Sequence, residues 1–203
     1  MSFETPGELS GRDCFLIVLA GLPGCGKSTL AAAIANSLGF KLVSQNQVRR
    51  AQGMSRMPKE QDETLRLIDQ MVCQSLLSGK GAIVDSVNRY LFRRHQLYGV
   101  ASGCGKRVFA IECICDEATA KSRIMKRPEP DNLVSDPNSL EVYDRLAAAW
   151  QPIIGDFEFP GQDHVSYLVF NSQSNELRAE ILPEGAEFGF QTINDSILEL
   201  AQE

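Results

Sequence analysis

Residues 21–28 read Gly-Leu-Pro-Gly-Cys-Gly-Lys-Ser, filling every fixed position of the pattern G-x-x-x-x-G-K-[ST]. The spelling has a chemical logic. Glycines let backbone N–H groups curl around phosphate oxygens, and a helix starting here adds the positive end of its dipole. Lys27 reaches terminal phosphates and Ser28 has a hydroxyl for Mg2+. The bland alternative, a glycine-rich turn with a surface lysine, does not explain the apolar run before it and the helical pattern after it. Gly21, Leu22, Pro23, Gly24, Cys25, Gly26, Lys27, Ser28 and Thr29 therefore form a candidate phosphate cradle.

Three other groups of residues have chemistry in their types and spacing. Asp85 ends the short apolar run 82–85 (AIVD), where a carboxylate can orient Mg2+ or hold Lys27 and Ser28; its structural alternative is the cap of the next helix. Arg123 and Arg127 stand at i and i+4, where mutual repulsion costs about 0.2–0.5 kcal/mol unless an anion offsets it. They read either as clamps on a transferring phosphoryl group or as a solvated basic face. Residues 42–50 (LVSQNQVRR) place Gln45, Asn46, Gln47, Arg49 and Arg50 together with no carboxylate.

The elements that position these groups alternate. Residues 14–20 (CFLIVLA) form an unbroken apolar run, as expected of a strand buried on both faces. A helix over 27–38, a strand over 40–43 and a helix opened by a Ser44–Gln47 capping box follow. Helices are expected over 60–77, 89–102 and 116–127, and again from Leu140 through Trp150, with strands over 82–85, 107–115 and 165–170. Residues 176–182 offer a sixth strand and 194–202 a closing helix. This order predicts an α/β fold: a three-layer arrangement with a parallel five-stranded sheet and helices on both faces. Residues 1–203 are expected to form one domain, with a lid-like segment at about 120–138 and an unassigned C-terminal extension at about 160–203.

Composition narrows the function classes. At 43% hydrophobic and 23% charged residues the chain matches an ordinary globular protein, and a net charge of −6 argues against a nonspecific nucleic-acid coat. No run approaches the about 20 apolar residues that span a bilayer, and no signal peptide is visible. The cysteines lack zinc-like spacing, Cys113 and Cys115 included, which points to reduced thiols and a cytoplasmic setting. His95 shares a helical stripe with Leu91 and Tyr98 and reads as packed rather than catalytic. Arg89, Arg93 and Arg94 either line an acceptor path or face water. No N/T-K-x-D base-reading motif is present. The run 109–117 (FAIECICDE) only superficially matches a motor-type Asp-Glu strand: Glu112 interrupts it and Asp116 reads as a helix cap.

Taken in order, GLPGCGKST, VSQNQVRR, IVDSVNRYLFRR, SRIMKR and SLEVYDRLAAAWQPI resemble the P-loop kinase family that includes polynucleotide 5′-hydroxyl kinases, zeta-toxin-like kinases and related small-molecule phosphotransferases, often labelled AAA-family ATP-binding proteins. The resemblance covers residues 15–154. It implies an adenylate-kinase-like P-loop NTPase sheet and ATP with Mg2+ as donor. It further implies Lys27 and Ser28 at the phosphates and lid arginines matching Arg123 and Arg127; the candidate metal residues, Ser28 and Asp85, come from the phosphate-loop pattern and the strand end.

One departure stands out. Members that phosphorylate a hydroxyl carry an aspartate base after the second strand and then an arginine that steadies the acceptor; Asn46 and Arg49 occupy those positions here. An amide cannot take the proton. Three readings follow: an acceptor that is already an anion, held by Arg49, Arg50 and Arg56; a base supplied by Asp85 or Asp62; or an ATP-binding or slow ATP-hydrolysing module acting through a partner. The expected activity is transfer of the γ-phosphoryl group to a nucleotide, a nucleic-acid 5′ end or a small hydroxylated metabolite.

Overall fold

A computed structural model describes residues 14–54, 57–127 and 139–200; Arg56 and the expected lid loop 128–138 lie outside the described residues. The first apolar run folds as β1, Leu16–Ala20, entirely buried. Leu16, Val18 and Ala20 enter one apolar cluster, while Phe15, Ile17 and Leu19 enter another. Period-two alternation thus supplies both faces of a strand covered by helices on each side.

The remaining elements are α1 (Lys27–Leu38), β2 (Lys41–Ser44), α2 (Gln45–Gln52), α3 (Pro58–Leu77), β3 (Ala82–Asp85), α4 (Leu91–Gly103), β4 (Val108–Ile114), α5 (Glu117–Met125) and α6 (Leu140–Ala148). A 3-10 turn (Ile153–Glu158), β5 (Val165–Asn171), β6 (Glu176–Ile181) and α7 (Glu187–Leu200) follow among the described residues. Ile68, Val72 and Leu76 of α3 and Leu97, Tyr98 and Ala101 of α4 cover one face of the sheet. Leu30, Ala31 and Ile34 of α1 and Ile193 and Ile197 of α7 cover the other.

The sheet has six strands in the order β2-β3-β1-β4-β5-β6, one more than the five expected. Five are parallel and β6 returns antiparallel beside β5, because the short turn 172–175 leaves no room for a crossover. The segment beyond residue 160 supplies β5, β6 and α7 to this sheet and its helical cover. β1 lies between β3 and β4, so chain connections depart to opposite sides of it and open a crevice at its carboxyl end.

Local expectations fare unevenly. Asp116 caps α5 by accepting from the Thr119 backbone N–H at 2.7 Å. The Ser44–Gln47 capping box does not form: Ser44 is the N-cap of α2 but makes no side-chain cap bond, being buried as the last residue of β2 in register with Asp85. Glu112 fits inside β4 because the Tyr167 hydroxyl of β5 donates to its carboxylate. Helix α5 ends at Met125, which puts Arg127 past the helix rather than on its face.

Candidate active site

The phosphate loop joins β1 to α1 across residues 21–26. Gly24 takes φ +85°, and a Cβ there would sit 2.4 Å from the Ala120 carbonyl oxygen, so only glycine lets the loop lie against α5. The first-turn N–H groups of α1 have no intrahelical acceptor, and the turn itself contains no acidic residue, the arrangement of an anion site. Lys27 is almost wholly enclosed and its Nζ donates to the Leu22 carbonyl at 2.8 Å. Burial lowers its pKa, with Cys113, Cys25 and Asp85 opposing that shift. The Cys25 sulfur lies 3.7 Å from that of Cys115, and burial, partly opposed by Lys27, pushes its pKa up to about 11. It is a protonated packing group, leaving the backbone of the loop to meet a ligand.

Across from the loop, β3 delivers Asp85, whose Oδ2 accepts from the Ser28 hydroxyl at 2.9 Å. A cavity of about 160 Å3 lies between these walls, lined by Pro23, Lys27, Ser28, Asn46, Arg49, Asp85 and Arg127 among others. The paired Ser28 and Asp85 oxygens fit a small hard cation that takes one carboxylate and its remaining ligands from water and phosphate. Arg127 feels partial burial, which lowers its pKa, and the Asp85 carboxylate, which raises it.

A second cavity of about 260 Å3 adjoins the first. Gln45, Arg49, Ser86, Val87, Val142 and Leu146 line both, so the two are neighbouring rooms with common walls. The far wall comes from α3 (Gln61, Leu65), from residues 88–90 and Arg93, and from Arg145 of α6. Asn88 turns the chain here at φ +43° and anchors it by donating from Nδ2 to the Leu19 carbonyl at 2.7 Å.

The arginines do not share one fate. Arg49 is 6% exposed and lines both cavities, whereas Arg50 is exposed and lines neither, because successive helical residues point about 100° apart. Arg127 reaches the first cavity. Arg123 instead holds the loop from outside: it donates to the Gly24 carbonyl at 3.2 Å and to the Ser172 hydroxyl at 2.8 Å, beside a separate hollow lined by Gly26, Thr29 and Asn175. Asp62 is exposed and lines neither cavity, so its position gives it no access as a base.

Arg89 and Arg93 line the second cavity, but Arg94 is fully buried, paired with Asp156 and following neither expectation. His95 packs against Tyr98 and Phe159 and contacts the Asp156 carbonyl at 3.2 Å. Gln61, Tyr90 and Arg145 also line the second cavity; Tyr90 and Arg145 lie within the motifs quoted above without a role having been read for them, and Gln61 lies in none of them.

A parallel sheet with a lysine-bearing phosphate loop at its switch point, facing a carboxylate on the neighbouring strand, defines a P-loop fold of the kinase type. Residues 16–152 match the model of the AAA domain family, and the chain belongs to that family. It is 25% identical to bovine adenylate kinase isoenzyme 5 over 203 residues, covering 92% of this chain and 34% of that one. It is 28% identical to cytidylate kinases of Saccharolobus islandicus over 90 residues, 39% of this chain and 48% of theirs. The chain thus spans about a third to a half of the length of these curated relatives.

Among solved structures, a sugar kinase from a Janibacter species superposes with a TM-score of 0.58 at 15% identity, covering 93% of this chain and 95% of that one. A gluconokinase from Sinorhizobium meliloti does so at 0.53 and 16% identity, covering 94% and 95%. These structures show the shared fold, and the family match with the curated kinase relatives carries the resemblance to P-loop kinases; the finer likeness to polynucleotide and zeta-toxin-like kinases rests on sequence motifs alone. No described helix is long and apolar enough to cross a membrane.

Proposed function

We propose that this chain is an ATP-dependent kinase whose residues 1–203 act as one catalytic domain, moving the γ-phosphoryl group to a nucleotide, a nucleic-acid 5′ end or a small hydroxylated metabolite. The observation that carries this reading is the pair of adjoining cavities: a donor cradle at Lys27 and a second room behind Arg49. A protein that only bound or hydrolysed ATP needs the first and has no use for the second.

In this reading the loop amides and Lys27 hold the donor phosphates, and Ser28 and Asp85 hold Mg2+, which when bound neutralises charge on the phosphate oxygens. Arg127 stabilises charge spreading over the transferring oxygens. Arg123 acts by fixing the loop against residue 172, as its contacts to Gly24 and Ser172 suggest. Asn46 faces the transfer path but takes no proton. Phosphoryl transfer depends chiefly on positioning and electrostatic stabilisation, so these groups suffice for catalysis once the acceptor is aligned. The lid-like role of 120–138 and a cytoplasmic setting belong to the same proposal.

The amide at Asn46 also favours a second reading, an ATP-binding or slow ATP-hydrolysing module acting through a partner. Incubation with labelled ATP and Mg2+ against a panel of acceptors separates the two. The kinase reading expects label on an acceptor other than water. Tight ATP binding with label released only as inorganic phosphate supports the module.

A further inference from the structure

Resting on the kinase reading above, we infer that the acceptor is a phosphate monoester whose anionic oxygen is itself the nucleophile, so that the product is a diphosphate. The walls of the second cavity contain four arginines, Arg49, Arg89, Arg93 and Arg145, and no carboxylate among the described residues. Arg93 is paired with an acid outside the cavity: its guanidinium meets Asp69 from α3 at 2.8 Å.

Arg89 and Arg145 give the rim the character of an anion site. Arg89 is braced over Tyr90, its guanidinium carbon 4.4 Å from the ring centroid and its Nη2 donating to the Tyr90 hydroxyl at 2.7 Å. Its Nε is buried with no hydrogen-bond partner among the described residues. A donor left in that state loses its hydration without replacement, a cost that an anionic oxygen would remove. Arg145 stands exposed at the opposite rim, on α6, with no ion-pair partner among the described residues. Held on separate elements, the two converge on one cavity that offers their charges no compensation.

The reacting side of the site points to the same conclusion. A hydroxyl acceptor must give up a proton as it attacks, and a base must receive it. Asp85 is the one carboxylate among the described residues lining either cavity, and it is engaged by the Ser28 hydroxyl on the donor side. Asn46 has no capacity to take a proton. A phosphate dianion needs no base. Its oxygen lone pair forms the new P–O bond to the γ-phosphorus. The bond from that phosphorus to the β–γ bridging oxygen breaks, and its electron pair leaves with ADP. ATP4− and ROPO3 2− become ADP3− and ROP2O6 3−, with charge conserved and no proton released, whereas a hydroxyl acceptor releases one.

The full chain with ATP and Mg2+ at about pH 8, where phosphate monoesters are dianions, tests this. The probes are nucleoside 5′-monophosphates, glucose 6-phosphate and glycerol 3-phosphate, each beside its unphosphorylated parent, and a 5′-hydroxyl oligonucleotide. The expected result is a labelled product from a monoester only, coupled diphosphate resonances in its 31P spectrum, and no proton release in a weakly buffered pH-indicator assay. Arg145→Gln, an exposed substitution that leaves the core untouched, should raise KM for the monoester roughly 10- to 100-fold with KM for ATP unchanged. Label on a neutral hydroxyl, with one proton released per turnover, overturns the inference and leaves the kinase reading intact. Bound ATP with no acceptor labelled overturns both.

Discussion

Lys27 and Asp85 face each other across the first cavity, and each is open to a substitution with a distinct signature. Lys27→Ala removes the cation at the terminal phosphates, so kcat for ATP-dependent transfer should fall on the order of 10^2- to 10^3-fold with the melting temperature of the free protein nearly unchanged. Asp85→Asn keeps an oxygen for Ser28 but loses the charge that favours Mg2+; the Mg2+ concentration giving half-maximal rate should rise about 10- to 100-fold. Asn46→Asp sets a negative charge beside Arg49. The ratio of kcat/KM for phosphate acceptors to that for hydroxyl acceptors should fall, since repulsion penalises the first and a new base serves the second. The cradle was legible in the sequence because eight consecutive residues specify it through local backbone geometry. Arg145, Gln61 and Tyr90 were not, because their convergence is created by the packing of α3 and α6 across the carboxyl ends of the strands.

The elements that frame the second cavity depend on a buried polar joint that no short pattern announces. Arg94 of α4 donates to both oxygens of Asp156 at 2.7 and 2.5 Å, with both side chains fully buried, and Tyr98 donates to the same carboxylate at 2.9 Å. Burial, and then the Asp156 charge, hold the Tyr98 phenol well above its usual pKa, so it remains a donor throughout the ordinary pH range. The partners lie 62 positions apart in the chain, beyond the reach of helical or strand periodicity. Removing one member leaves a buried charge without its counter-ion. Asp156→Ala should therefore cost about 3–5 kcal/mol of unfolding free energy in urea titration, far more than Tyr98→Phe. Periodicity did reveal the strands and helices themselves, since apolar runs and 3.6-residue stripes are local. It placed the start of α2 correctly at Ser44, but the capping bond expected there does not form, because Ser44 is buried as the last residue of β2.

At the scale of the molecule, sequence order predicted the parallel sheet because strands alternating with helices have few right-handed ways to connect. The antiparallel β6 depended on a turn too short to cross the sheet, a feature visible in length but not in hydrophobic pattern. The site lies where β1, β2 and β3 end together, with Leu19, Ser44 and Asp85 in register. A ligand held there would contact the loop, β3 and α2 at once, since all three line the first cavity. ATP with Mg2+ at about 100 times its dissociation constant should stabilise the fold by about 2.7 kcal/mol. That raises the melting temperature by roughly 5–10 °C in a thermal-shift assay. The shift should shrink when the metal is chelated and nearly vanish in Lys27→Ala.

The central claim is that the two cavities hold a donor and an acceptor of one transfer reaction. A single-turnover experiment with γ-labelled ATP, Mg2+ and the full chain in excess, run with and without the acceptor panel, tests it most directly. Label should pass to an acceptor, and adding that acceptor should accelerate ATP consumption. Label appearing only as inorganic phosphate, at a rate no acceptor alters, would contradict it.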